Sequence, residues 1–188
     1  MILRQTRKRH NRTTRSVIAA TLLRMLRFVI DGTNLLLLHG RANPELRYVL
    51  ALCEYFEARG IAYACFFDAN TDYLLKEQDN EQYEVFRSFT RDGSCLEKLV
   101  VVPSGIRADD WLLARAKSEG AGVISNDKFR KRGRRDRWIW RRRHPVVGTR
   151  GAILLETLGL ELPVLPGAKD YLRRSACSAP SNRRPRHE

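Results

Sequence analysis

The sequence predicts an α/β protein with a mainly parallel central sheet and helices on both of its faces. Apolar segments of strand length alternate with segments of helical periodicity from about residue 26 onward. Aspartates follow several of these strand segments directly or begin the next helix, and a block of arginine and lysine comes after the last of them. Because the carboxyl ends of parallel strands share one edge of a sheet, the acids are expected to converge there.

The first strand is predicted at Leu26–Asp31, where an apolar run ends abruptly in an acid. Gly32 then allows the backbone to turn sharply and to approach a ligand closely. Thr33 and Asn34 can cap a following helix and can also reach a polar ligand. The segment is therefore typical of a ligand-binding turn, and equally of an ordinary strand-to-helix connection, since Asp, Gly and Asn are common turn formers.

A helix is predicted from Asn43 to about Ala58, because Asn43 can be its N-cap, Pro44 fits its first turn and apolar residues recur at helical spacing. Gly60 is expected to end it. The same patterns predict the later elements, with an acidic, polar loop before the second helix. These are strands at Ile61–Phe67, Leu99–Val102 and Gly122–Ser125, and helices at Glu81–Thr90 and Arg107–Ser118.

The carboxyl-terminal part departs from this alternation. Residues 151–160 predict a small apolar helix, and the chain from about residue 167 predicts a disordered tail because it is basic and contains Ser and Pro. The expected organisation is a basic, disordered arm at residues 1–24, one folded domain at 25–166 and a disordered basic tail at 167–188.

The acids expected to share one pocket are Asp31, Asp109, Asp110 and Asp127. Carboxylates that close together repel one another at neutral pH, so the cluster needs a cation. Oxygen ligands without Cys or His nearby favour Mg²⁺ or Mn²⁺. Asp68 also ends a predicted strand, but the adjacent Asn70 and Thr71 make a turn cap its preferred interpretation.

The formal net charge of +14 is distributed unevenly along the chain. Residues 1–30 carry eight basic side chains and no acid, residues 31–127 carry ten basic and sixteen acidic side chains, and residues 128–150 carry eleven basic and one acidic. An acidic body between basic segments fits a polyanion that binds across a metal pocket. Basic arms that only aid solubility, or bind nucleic acid nonspecifically, are the alternative.

The most basic run, residues 128–143, interleaves arginines with Trp138 and Trp140. Arginine contacts phosphates and aromatic rings stack on unpaired bases, so the run predicts contacts with RNA. The residues expected to make them are Arg130, Arg132, Arg134, Arg135 and Trp138. Alternatively, the two tryptophans lie on one face of an edge strand and pack on the core.

The four cysteines have no zinc-binding spacing. Cys53 and Cys65 lie in apolar surroundings and are expected to be reduced core residues, which suggests an intracellular compartment. Residues 1–27 are Arg-rich and free of acids, as organellar transit peptides are. A disordered basic arm has the same composition, and so would a segment read from a start codon placed too early, with Met25 as the true start. That segment has no apolar stretch long enough to span a membrane. A cytoplasmic protein without membrane contact is expected, with organellar targeting by the arm as the alternative.

Three motifs stand in order and at domain-like spacing: Val29–Asn34 (VIDGTN), Ala108–Asp110 (ADD) and Val123–Arg130 (VISNDKFR). Together they resemble the Regnase-type ribonuclease domain of the NYN branch of the PIN-like nucleases, over about residues 26–165. The resemblance implies a three-layer sandwich around a mainly parallel sheet. It also implies a metal-dependent endoribonuclease that hydrolyses phosphodiester bonds in single-stranded or loop RNA.

The catalytic residues that the resemblance implies are Asp31, Asn34, Asp109, Asp110 and Asp127. Among them, Asp31 is expected to be the central ligand of one or two Mg²⁺ or Mn²⁺ ions, and Asp110 and Asp127 to bind metal directly or through water. Asp109 is expected to bind metal or to orient a ligand, and Asn34 to be a polar companion. The family often has a further acid four residues after the position of Asp127, and the lysine found there, at position 131, is expected to weaken metal binding.

Two other classes of function stay open. A PIN-like fold that no longer turns over substrate could hold RNA through its basic arms, although four intact aspartates argue against an idle site. A toxin-type nuclease controlled by a protein inhibitor is compatible with a small basic chain, and so is a homodimer.

Overall fold

A computed structural model describes residues 26–91, 98–130 and 136–178 of the chain. Its centre is a five-stranded sheet with the strands β1 Phe28–Asp31, β2 Tyr63–Phe67, β3 Leu99–Val101, β4 Gly122–Ile124 and β5 Arg143–His144. Their order across the sheet is β3-β2-β1-β4-β5, and each neighbouring pair is parallel. The predicted α/β class with a parallel sheet is confirmed.

The strand order creates a topological switch point between β1 and β4. The chain leaves β1 towards β2 and β3 on one side and returns to build β4 and β5 on the other. In open α/β sheets a crevice forms at such a point, outside the carboxyl ends of the two strands. Ile30 pairs with Ile124, so Asp31 and Ser125 leave the sheet next to each other.

Helices cover both faces of this sheet. They are α1 Gly32–Leu36, α2 Leu46–Ala58, α3 Thr71–Gln78, α4 Asn80–Arg91, α5 Ala108–Glu119, α6 Trp138–Arg142 and α7 Ala168–Ser178. Helix α5 contacts β1, β2 and β4 on one face, whereas α7 packs against α2 and α4 on the other. Within the described ranges, none of the helices combines the length and the apolar character that a membrane crossing requires.

Neighbouring residues of β1 point into two different cores. Val29 packs with Leu112 and Val123 in a smaller core under α5, whereas Ile30 packs with Phe56 in a larger core on the opposite face. A parallel sheet that is buried on both faces needs such unbroken apolar strands. The result is the three-layer arrangement expected from the motifs.

A small antiparallel sheet stands where the sequence predicted a helix at residues 151–160. Its strands are β6 Val147–Gly148, β7 Ala152–Leu155 and β8 Leu160–Pro163, paired in that order. The prediction was wrong because the short apolar run is compatible with the periodicity of a helix and with that of a strand. Tertiary packing selects the strand, since the alternating residues Ile153 and Leu155 are buried. Gly159, with a φ of 62°, turns the chain between β7 and β8.

Two helix predictions also need correction. Helix α2 begins at Leu46 with Glu45 as its N-cap, whereas the sequence predicted a start at Asn43. The backbone N–H of Asn43 instead donates to the carbonyl of Gly40 in a turn that precedes the helix. Helix α3 occupies part of the predicted polar loop, because Leu75 on it is fully buried in the larger core.

The expected disorder from residue 167 is wrong for the first part of that segment. Helix α7 buries Ala168 and Tyr171 in the larger core, with Leu172 packed against it. The apolar positions follow the helical i, i+3, i+4 spacing, which the basic composition of the segment masked. Residues 1–25 and 179–188, where the other predictions of disorder fall, lie outside the described residues.

Gly32 provides a test of how closely α1 packs on β2. A Cβ at this position would lie 2.5 Å from Cε1 of Phe67 and 2.8 Å from Sγ of Cys65, and both side chains are buried. We expect Gly32→Ala to lower the free energy of unfolding by about 1–3 kcal/mol, measured by urea denaturation, because the core must shift. Gly151→Ala is the matched control, since no atom lies within 4 Å of its added Cβ. Equal stability of the two variants would contradict the close packing.

Candidate active site

Asp31 ends β1 and is the N-cap of α1. Its Oδ1 accepts a hydrogen bond from the backbone N–H of Asn34 at 3.1 Å, and its Oδ2 accepts one from the hydroxyl of Ser125 at 2.8 Å. Ser125 directly follows β4 and is fully buried, so the carboxylate connects the two strands at the switch point. The side chain of Asp31 is itself only 8% exposed.

The surroundings of Asp31 disfavour the charged form of its carboxyl. Its pKa is raised from 3.8 to about 7, mainly by burial and to a smaller extent by the nearby charges of Asp109 and Asp68. The hydrogen bonds from Ser125 and Asn34 favour the charged form but do not offset the burial. Ionisation of Asp31 near neutral pH is therefore costly unless a positive charge is close by.

Asn34 positions the loop that follows β4. Its Oδ1 accepts the backbone N–H of Asn126 at 2.8 Å. Asn126 in turn bridges to Val146, donating from Nδ2 to the carbonyl and accepting the N–H at Oδ1. The sequence suggested that Asn34 is a polar residue of the metal site. In the structure its side-chain oxygen is hydrogen-bonded to the backbone of this loop.

Asp127 lies on the same loop and is exposed. Its N–H donates to Oγ of Ser125 at 3.0 Å, and its Oδ1 accepts the N–H of Phe129 at 2.8 Å. Phe129 has a φ of 46°, a conformation that is unfavourable for a bulky residue. Because its ring is buried in the smaller core, packing holds the backbone in this strained turn beside Asp127.

A cavity of about 620 Å³ opens next to these residues. The residues that line it are Arg107, Asp109, Asp110, Asn126, Asp127, Lys128, Phe129 and Arg130. Three of the four predicted aspartates therefore share one cavity, together with three basic side chains. Asp31 does not line it, but the charge of Asp109 reaches the buried carboxyl and raises its pKa.

The four aspartates are brought to one region without forming a compact ligand cluster. Among the described residues, no group of three His, Cys, Asp or Glu side chains is arranged to hold a metal ion. Asp109 is instead paired with Arg107, with 3.1 Å between Oδ2 and the guanidinium nitrogen. The donor chemistry, carboxylate oxygens around a buried acid of raised pKa, nevertheless fits a hard divalent cation.

Asp68 belongs to the same charged region. Helix α3 begins after Asn70 without a side-chain cap, and it is the backbone carbonyl of Asp68 that accepts the N–H of Thr71. The hydroxyl of Thr33 accepts the N–H of Asp68 at 2.8 Å, which fixes this residue beside the end of β1. The preferred interpretation of its carboxylate as a turn cap is therefore not supported, whereas its effect on the pKa of Asp31 is.

The residues predicted to contact RNA differ in their exposure and in whether the structure describes them. Arg130 is exposed and lines the cavity. Lys131, Arg132, Arg134 and Arg135 lie outside the described residues. Trp138 is half-buried against the smaller core, and its buried Nε1 has no hydrogen-bond partner within the described part of the chain. The alternative is therefore right for the packing of Trp138 on the core, but wrong for the edge strand and for Trp140, because the segment is helix α6 and Trp140 is exposed.

Sequence reasoning missed a different tryptophan at the site. Trp111 directly follows Asp110 and is 45% exposed, although it lies in a helix that is otherwise anchored by apolar residues. The helical pattern alone did not distinguish it from a core residue.

The fold and site define an α/β protein with an acid-lined cavity at the switch point of a parallel sheet. A family model described as the Zc3h12a-like Ribonuclease NYN domain matches residues 24–149. Because this match covers most of the chain, the protein belongs to that family, a family of RNA-cleaving nucleases. A search among curated proteins found no match.

Solved structures support the fold. The chain is similar to nuclear proteinaceous RNase P 2 (PRORP2) from A. thaliana, with a TM-score of 0.56 and 16% sequence identity over 70% of this chain. A second structure of Arabidopsis thaliana PRORP2 gives a TM-score of 0.54 at 16% identity over 69% of this chain. In both cases the match spans only 29% of the solved chain. These likenesses concern the fold of the domain.

The raised pKa of Asp31 predicts a specific dependence of stability on pH. A carboxyl whose folded pKa of about 7 exceeds the unfolded value of 3.8 stabilises the fold below about pH 4, and this stability is lost as the pH rises through about 7. In EDTA, Asp31→Asn should therefore stabilise the protein at pH 8 by up to about 4 kcal/mol and have little effect near pH 4. Urea denaturation of both proteins across this range measures the difference, and a gain that is constant with pH would contradict the assignment.

Proposed function

We propose that this protein is a Mg²⁺- or Mn²⁺-dependent endoribonuclease that hydrolyses phosphodiester bonds in single-stranded or loop RNA. The observation that carries the proposal is the Asp31 carboxylate, which is buried at the switch point, hydrogen-bonded to Ser125 and within electrostatic reach of Asp109 and Asp68. Burial of this group raises its pKa, and an apolar residue would pack better at this position, so packing does not explain why an acid is present. Membership of a family of RNA-cleaving nucleases supports the same conclusion.

Asp31, Asp110 and Asp127 are the residues that would hold the cation. A bound divalent ion would lower the pKa of a water molecule and stabilise negative charge on the phosphate. Ser125 keeps the Asp31 carboxylate oriented, and the same hydroxyl accepts the N–H of Asp127. Asp109, which is paired with Arg107, would orient a ligand or exchange that partner for the cation.

The basic side chains of the cavity fit the substrate. Arg107, Lys128 and Arg130 line the same space as the aspartates, so phosphates on either side of the cleaved bond would find cationic partners. Arg132, Arg134 and Arg135 follow Arg130 in the chain and would extend this contact along the RNA backbone. The acids would act on one phosphate while the arginines hold its neighbours.

Cleavage of labelled single-stranded RNA tests the proposal. Asp31→Asn should abolish cleavage and keep the fold, because the amide is nearly isosteric and retains hydrogen-bonding partners for Asn34 and Ser125. EDTA should abolish the activity of the unaltered protein, and added Mg²⁺ or Mn²⁺ should restore it. Glu77→Gln is the matched control, since this exposed acid lies on α3 and does not line the cavity.

Activity that persists in EDTA or in Asp31→Asn would refute the metal-dependent mechanism. Absence of cleavage with intact RNA binding would instead favour the inactive binding module. Co-purification with a small protein that suppresses cleavage would favour the toxin-type nuclease.

The salt dependence of RNA binding tests the role of the basic segment. Each phosphate contact releases counterions, so affinity should fall steeply as salt rises. Replacing Arg130, Arg132 and Arg134 by alanine should flatten the slope of log affinity against log salt by roughly two units for a single strand. Arg59→Ala, Arg87→Ala and Arg150→Ala together form a control of equal charge away from the cavity. Parallel slopes for the unaltered protein and the first variant would show that the segment makes no phosphate contacts.

A further inference from the structure

The exposed face of α5 carries an aromatic ring directly after a residue that lines the acid-lined cavity. Trp111 is 45% exposed and follows Asp110, which lines the cavity. The buried side of the same helix is formed by Ala108, Leu112, Leu113 and Ala116. Packing therefore does not account for a tryptophan at position 111, where a small or polar residue would serve a solvated helix face equally well.

Two arginines flank this ring along the helix. Arg115 follows Trp111 by four residues, so these two side chains share one helix face about 6 Å apart along the axis. Arg107, four residues before the ring, is the N-cap residue of α5 and lines the cavity. The arginines pair with Asp109 and Glu119, but their side chains are 68% and 54% exposed. Ion pairs at such exposure contribute little stability, so a guanidinium can turn to a phosphate at small cost.

The chemistry of this face indicates its partner. The exposed residues around the ring are Asp110, Ala114, Lys117 and Ser118 on the helix and Ile106, 42% exposed, before Arg107. Trp111 therefore has mostly small or charged neighbours, unlike the extended apolar patches that bind proteins. A single exposed ring between cations is typical of surfaces that bind unpaired nucleotides, where the ring stacks on a base and the cations contact the backbone. The face is continuous with the cavity through Arg107 and Asp110.

We propose that Trp111, flanked by Arg107 and Arg115, is a base-stacking platform for the RNA segment that leaves the acid-lined cavity. The platform selects single-stranded over duplex RNA, because only an unpaired nucleotide can turn the face of its base onto the ring. The proposal rests on the proposed function for the identity of the bound polymer. It gives the stacking role that the sequence suggested for Trp138 to a tryptophan on a different helix.

Trp140 supplies the matched control. It is also exposed, at 57%, and it also stands among arginines. Helix α6, which carries it, ends at Arg142, and Arg142 lines a separate cavity with Leu26 and Gly122, at the amino ends of β1 and β4. Trp140 therefore tests whether any exposed tryptophan in a basic setting binds RNA.

Binding should be measured by fluorescence anisotropy with a labelled single-stranded RNA and with a duplex of the same sequence. The full chain carrying Asp31→Asn, in Mg²⁺, prevents cleavage during the titration. On this background Trp111→Ala should weaken single-strand binding roughly tenfold, the loss expected for one stacked base, and change duplex binding by less than about twofold. Trp111→Phe should retain most of the affinity, and Trp140→Ala should bind as the background protein does.

A second readout reports the ring directly. Stacking on a base quenches tryptophan fluorescence, so RNA should quench the background protein, and Trp111→Phe should remove most of that quenching whereas Trp140→Phe should not. In the chain that retains Asp31, Trp111→Ala should raise KM roughly tenfold and leave kcat unchanged. If the substitution instead shifted Asp110 and damaged the metal site, kcat would fall as well.

Unchanged single-strand affinity in Trp111→Ala, an equal loss for duplex, or an equal loss in Trp140→Ala would each overturn the platform. These outcomes are distinct from failure of the proposed function. If the unaltered protein cleaves RNA while Trp111→Ala binds normally, the platform fails and the nuclease stands. If single strands bind through Trp111 but no divalent ion supports cleavage, the nuclease fails and the platform stands.

Discussion

The Asp31 carboxylate is the group on which the arrangement of the site depends. One of its oxygens caps α1 through the N–H of Asn34, and the other accepts the hydroxyl of Ser125 from the end of the neighbouring strand. Ser125 also accepts the N–H of Asp127, so one buried hydroxyl connects two of the site acids. Because β1 and β4 meet at the switch point, this short chain of hydrogen bonds fixes the end of both strands and the start of the cavity.

The cost of this arrangement is electrostatic and conformational. The buried carboxyl has its pKa raised to about 7 by burial and by neighbouring acids, and Phe129 holds a left-handed backbone next to Asp127. At neutral pH neither feature stabilises the fold, and both are maintained by packing elsewhere, the latter by the smaller core under α5. Local departures of this kind from the rules of stable folding are typical of functional sites, where geometry is kept at the expense of stability.

Much of the site could be predicted from local sequence, because Asp31 and Asp127 come at or just after the ends of apolar strands and Asp109 and Asp110 begin a helix. Asp109, Asp110 and Asp127 share the cavity as expected, whereas the structure buries Asp31 outside it and pairs Asn34 with a loop amide. Trp138 and Trp111 differ most from expectation. Both sit in helical segments with polar neighbours, and only the position of each helix on the smaller core decides which ring is packed and which is exposed.

The sequence by itself determined the parallel α/β class, the strands that deliver the acids and the family motifs, because these depend on periodicities and residue types within a few positions of one another. Only the tertiary structure decided the strand order, the antiparallel sheet at residues 147–163 and the packing of α7. The apolar residues of these short segments fit more than one secondary structure, and the energy that selects among them comes from burial against elements distant in the chain. For the same reason, the raised pKa of Asp31 is a property of the folded pocket, which no stretch of the sequence contains.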